Sequence, residues 1–196
     1  MPAEERRAGE TPSCQSQPLS GPRDEPAFDV AVSSLVLNFL PDPLAGAREM
    51  TALLRPGGTV AAAVWDYAEG MELLRRFWEA ASRLDPAARL LDEGVRFPLC
   101  NPARLVALFQ AVGLEDVRGG EVTIATEFDS FEDYWRPLLG GTGPVPAYVA
   151  ALSPERRGEL ETALRTALRF THTGHLRLRA RAWTVRGRVP VCPEAA

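Results

Sequence analysis

Phe28-Asp29-Val30-Ala31-Val32-Ser33, then a proline-started helix, then Thr59-Val60-Ala61-Ala62-Ala63-Val64-Trp65: these residues decide the fold. Both outer runs are short and almost continuously apolar, as in strands covered on both faces. Between them Asp42 is a natural N-cap, and Pro43 stands at the first helical position, where a missing N–H costs nothing. The helix carries Ala47, Met50 and Leu54, and Pro56-Gly57-Gly58 stops it. Strand, helix and strand with such short joints imply a right-handed crossover and a parallel pair. The chain reads as α/β.

Outward from this unit the signals stay regular. A second helix is expected over about 70–84, with Met71, Leu74, Phe77, Trp78, Ala81 and Leu84 at helical spacing. A third opens at Asn101-Pro102, carries Leu105, Val106, Leu108, Phe109 and Val112, and closes at Gly113. Val122–Phe128 alternates as a strand. Ser130 to Asp133 forms a capping box for a helix over 131–139, which Gly140-Gly141-Thr142-Gly143-Pro144 breaks. Ser153-Pro154-Glu155 opens a helix to about Leu168. Leu176 to Arg186 alternates aliphatic residues with Arg177, Arg179 and Arg181, a strand with one face toward solvent or carboxylates. Residues 1–27 differ: five prolines lie among Glu, Arg, Ser and Gln, and Leu19 is the only large aliphatic after Met1. Such a stretch cannot bury enough apolar surface to offset its ordering entropy, so a disordered tail is expected there, with one domain over 28–190.

The 196 residues suffice for one sizeable core, and 45% apolar with 24% charged is ordinary for a globular protein. A net charge of −4 argues against a general nucleic-acid binder. All 22 basic residues are arginine, which is read as genome composition rather than as a recognition device. No stretch is long and apolar enough for a membrane span, and the N-terminus lacks the apolar core of a secretory signal. A cytoplasmic protein is expected. Cys14, Cys100 and Cys192 show neither metal spacing nor a disulfide framework, so reduced thiols are expected.

Three pieces, in order, carry a resemblance. Phe28–Phe39 looks like the fourth strand and following loop of a class I S-adenosylmethionine-dependent methyltransferase of the type 11 family. Leu53-Leu54-Arg55-Pro56-Gly57-Gly58-Thr59-Val60 resembles that family's turn from helix into fifth strand. Leu108-Phe109-Gln110-Ala111-Val112-Gly113-Leu114-Glu115-Asp116-Val117 is similar to the later helix that leads to an edge strand. The resemblance covers about residues 23–190. It implies a Rossmann-like methyltransferase sheet, mostly parallel with an antiparallel strand near the C-terminus. The chain departs from the pattern upstream, where no Gly-x-Gly turn and no ribose-binding acid precede Phe28, so the expected domain lacks its first strands and is N-terminally truncated.

By the same resemblance, S-adenosylmethionine is the implied cofactor, with Ser33, Ser34 and Leu35 beside its methionine part. Asn38 and Phe39 would line the acceptor side. Trp65, Asp66 and Tyr67 end the fifth strand at the mouth, with Asp66 a candidate base and the aromatics a wall. The segment 130–170 resembles the family's variable helical lid, with Trp135 and Tyr148 as wall residues. Each also has a plainer role: strand terminus, turn aspartate, or core packing. His172 and His175 lie in a loop with no third ligand, so no metal is expected. The implied function is methyl transfer to a small-molecule acceptor, without nucleic acid or membrane. The alternative is an inactive fragment or a non-catalytic interaction protein that associates through the exposed strand 28–33. Whether this chain alone is an enzyme stays open at this level.

Overall fold

The computed structural model describes residues 28–191. The tail expected over 1–27 lies outside the described residues, as do Cys14 and Cys192. The elements are β1 (Phe28–Ser34), α1 (Pro43–Ala52), β2 (Leu54–Trp65), α2 (Glu72–Leu84), α3 (Glu93–Arg96), α4 (Pro102–Ala111), β3 (Glu115–Phe128), α5 (Phe131–Trp135), α6 (Pro144–Ala151), α7 (Pro154–Ala167) and β4 (Leu176–Arg188). Short 3-10 turns cover Leu37–Phe39, Pro86–Leu91 and Arg136–Leu139.

The strands form one sheet in the order β1-β2-β4-β3. β1 and β2 pair in parallel, and β4 runs antiparallel to both β2 and β3. Strands β1, β2 and β3 therefore point one way and β4 the other, the expected α/β sheet with its antiparallel strand near the C-terminus. β1 lies at the edge of this sheet.

The expected punctuation is in place. Asp42 accepts from the Ala45 amide (3.0 Å) and Asn101 from the Arg104 amide (3.1 Å). Ser130 and Ser153 cap α5 and α7 in the same way. Gly113 takes the left-handed conformation, φ 80°, that ends a helix.

Boundaries differ where tertiary pairing extends an element. β2 starts at Leu54 rather than Thr59, because the Gly57 amide donates to the Val189 carbonyl (3.0 Å) and continues the ladder. β3 starts at Glu115, and a register shift between Glu115 and Arg118 accommodates Asp116 at φ 50°. Helix α6 falls just beyond the glycine run, with Pro144 in its first turn. Its residues show no apolar stripe to announce it; burial of Val145, Tyr148 and Val149 holds it. No helix among the described residues is long and apolar enough to cross a membrane.

Two cores result. The first packs Val60, Ala62 and Val64 of β2 and Val185 of β4 against Leu105 and Phe109 of α4. The second packs Phe77 and Trp78 of α2 against Tyr134, Tyr148, Leu160 and Leu164, all from the segment between β3 and β4. Each large side chain buried in these cores contributes roughly 1.5–3 kcal/mol.

Candidate active site

Ser33 is paired with Ala62 and Ser34 with Ala63, so β1 and β2 end side by side. Open α/β sheets bind ligands in the crevice beyond those carboxyl ends. Directly after Ser34 the backbone of Leu35 enters the left-handed region, φ 60°. For a bulky residue that costs on the order of 1–3 kcal/mol and is tolerated where surrounding structure imposes it. Here the Leu35 amide donates to the Ala63 carbonyl (2.9 Å), which pins the turn to β2. Strain of this kind clusters at ligand clamps.

The following 3-10 turn buries Leu37 and Asn38 and leaves Phe39 outside, 53% exposed. Asn38 is 8% exposed, yet its Nδ2 has no hydrogen-bond partner among the described residues. A buried donor left without an acceptor costs about 1–3 kcal/mol. Phe39 packs edge-on against Phe97 (centroids 5.0 Å), and Phe97 lies 5.7 Å from Tyr67. An aromatic row thus joins the loop after β1 to the loop after β2.

Asp66 is 2% exposed and fully engaged. Its Oδ2 accepts from Arg181 Nη2 (2.6 Å) and Nε (2.9 Å), and its Oδ1 from the Glu69 amide (3.2 Å). Its backbone carbonyl accepts from Met71 (2.8 Å). Arg181 in turn lies over the Trp183 ring, 4.3 Å from its centroid. Arg179 pairs with Glu72 and Arg177 with Glu127, so the arginine face of β4 is an ion-paired face.

Behind Tyr67 lies a polar network absent from the sequence-level expectations. Arg75 of α2 forms a two-pronged ion pair with Asp92, and Trp78 Nε1 donates to Glu93 Oε2 (2.5 Å). Burial pushes the Glu93 carboxyl above its ordinary range, with the Trp78 donor opposing the shift. Burial also pushes the Tyr67 phenol up to about 12, with Cys100 and Glu93 adding to it, and the Cys100 thiol up to about 12. Both are neutral at ordinary pH. One signal could have revealed part of this group: Asp92 followed by Gly94 is an N-cap, and Asp92 Oδ1 does accept from the Gly94 amide (2.7 Å).

Trp135 and Tyr148 sit in the second core, Trp135 stacked on Phe131 at 6.1 Å. The buried residues of the mouth belong to the first. Ser33, Ser34, Leu35, Asn38, Phe39, Trp65, Asp66 and Tyr67 therefore cluster at the ends of two adjacent strands, while Trp135 packs elsewhere. His175 pairs with Asp129 (3.0 Å). Among the described residues no group of three or more His, Cys, Asp or Glu is arranged to hold a metal. Such a rim can orient a ligand through hydroxyls, backbone groups and one amide, and wall it with aromatic rings.

A family model described as "Methyltransferase domain" matches residues 4–62. The match starts upstream of the resemblance noted at residue 23 and ends inside β2, so it contains Phe28–Phe39 and the Arg55-Pro56-Gly57-Gly58 turn but not α4. No curated protein matches the chain. Among solved structures, it is similar to a putative methyltransferase of Bacillus halodurans C-125 (12% identity, 88% of this chain and 68% of that one, TM-score 0.47). It is similar also to the YcgJ protein of Bacillus subtilis (16%, 88% and 68%, TM-score 0.47). A third likeness is to a Haemonchus contortus phosphoethanolamine N-methyltransferase 2 solved with phosphomonomethylethanolamine and S-adenosylhomocysteine (13%, 85% and 34%, TM-score 0.42). Over residues 4–62, the chain is similar to the methyltransferase-domain family.

Proposed function

We propose that this chain takes part in S-adenosylmethionine-dependent methyl transfer to a small-molecule acceptor, with the joined ends of β1 and β2 as its site. One observation carries the reading: a strained left-handed Leu35 stands three residues from a buried Asn38 amide that lacks an acceptor. A strained turn and a buried donor without a partner, side by side at a strand rim, suit a ligand-binding clamp. The residues present fit the amino-acid end of the cofactor. The Ser33 and Ser34 hydroxyls and the Leu35 turn would hold it, and Asn38 Nδ2 would donate to a carboxylate or hydroxyl oxygen.

When bound, the cofactor supplies an activated methyl group. The chain's own residues then position the acceptor and exclude water. Phe39, Phe97 and Tyr67 form an apolar wall, and Trp65 ends β2 beside it. Asp66 acts as a brace: its hold on Arg181 and on the Glu69 amide fixes the turn that presents Tyr67. Transfer to a well-placed nucleophile depends mainly on orientation and dehydration.

Isothermal titration of the full chain with S-adenosylmethionine and with S-adenosylhomocysteine tests the reading. Micromolar binding is expected, weakened about tenfold or more in Asn38→Leu, since an unmade hydrogen bond costs about 1–3 kcal/mol. Absence of binding heat with both ligands, in a protein whose circular dichroism is that of a folded α/β chain, would overturn it.

A further inference from the structure

Along β2, Val60, Ala62 and Val64 point into the first core, so Ala61 and Ala63 alternate to the opposite face of the sheet. That face is open. It forms a trough of about 560 Å³ across all four strands, floored by Val32, Ala61, Ala63 and Gly120 and reaching Ser33 and Ser34, the proposed cofactor residues, at the end of β1. Val30 and Val32 on β1 are 56% and 66% exposed. At one end of the trough stand Arg118 and Arg186, with Arg188 next along β4. The other arginines of β4 all have carboxylate partners: Arg177, Arg179 and Arg181. Among the described residues no carboxylate comes within ion-pairing distance of Arg118, Arg186 or Arg188, although Asp116 shares their surroundings.

We propose that this trough docks an amphipathic helix of a partner protein, its apolar stripe on Val32, Ala61 and Ala63 and a cluster of carboxylates on Arg118, Arg186 and Arg188. The floor is made of small side chains over several strands, which suits a helix laid on a sheet as a second layer. A strand would instead seek the edge of β1. The charge argues against a second copy of this chain, because among the described residues none lining the trough is acidic and like faces would leave the arginines unanswered. An acidic partner supplies what three exposed guanidiniums at the end of an apolar floor lack.

Fluorescence anisotropy of the full chain with a labelled designed helix, bearing a leucine stripe and glutamates clustered at one end, tests this. The same helix with lysines in place of the glutamates is the comparison. The glutamate helix is expected to bind at least about tenfold tighter than the lysine helix, and replacing all three arginines (Arg118→Glu, Arg186→Glu and Arg188→Glu together) is expected to reverse that order. Reversal shows that the variant is folded and that charge sets the preference. Equal binding of both helices, binding of neither, or an order unchanged by the triple substitution would overturn the proposal. So would a concentration-dependent dimer, seen by light scattering, that the glutamate helix fails to dissociate.

Discussion

At Asp66 a carboxylate that sequence reasoning offers as a base is held by an arginine and a backbone amide. Asp66→Asn keeps the shape and removes the charge. Arg181 then sits beside a neutral amide in a partly buried place, which is expected to cost about 2 kcal/mol, below the 3–5 kcal/mol of a fully buried pair because Arg181 is 24% exposed. Urea unfolding measures it. Glu93 gives a prediction with a sign. Its carboxyl, ordinarily at 4.5, is raised by burial, so the protonated form favours the fold. That contribution is complete below the ordinary value and is lost as pH rises through the raised one. Glu93→Gln still accepts from Trp78 and carries no charge. Its melting temperature should therefore gain on the unsubstituted chain on going from mildly acidic to neutral buffer. A constant difference across that range would show that burial of Glu93 leaves no pH dependence there and would overturn this assignment.

Among the elements, legibility followed local punctuation. Asp42-Pro43, Asn101-Pro102, Ser130 and Ser153 each announce a helix start by a side chain that can accept from a nearby amide, and each does so. Helix α6 has no comparable announcement, since its burial against the second core is a tertiary fact. The Pro86–Leu91 turn and α3 do carry caps, Asp85 accepting from the Ala87 amide (3.0 Å) and Asp92 from the Gly94 amide (2.7 Å), but both are too short to show a periodic apolar face. β3 and β4 outran their alternating patterns because pairing with a neighbour carries a ladder through residues of poor strand propensity. Gly187 in β4 shows what that closeness demands. A Cβ there would lie 2.9 Å from Leu114 Cβ, at the joint between α4 and β3. Gly187→Ala is expected to destabilise the chain by about 1–3 kcal/mol, by pushing this joint off the sheet. Thermal unfolding checks it, and an unchanged melting temperature would mean the joint gives way freely.

For the whole molecule, the division into two cores was not readable. Apolar stripes state that a helix face is buried, not against what. Trp135 shows this: its place in a lid-like segment suggested a wall of the active site, and the fold packs it with Phe131 beside α2 instead. The same gap hid the network of Arg75, Asp92, Trp78 and Glu93, whose members meet across 15 to 17 residues of chain. By itself the sequence determined the βαβ unit and the starts of α1, α4, α5 and α7, because capping, glycine stops and parallel crossover are local rules, while the grouping of Ser33 to Phe39 with Trp65 to Tyr67 came from the family resemblance. Tertiary structure alone decided which arginines find carboxylates, which donor is orphaned and which sheet face stays open. Those outcomes depend on the distances between strands and helices far apart along the chain, and periodicity carries no information about them.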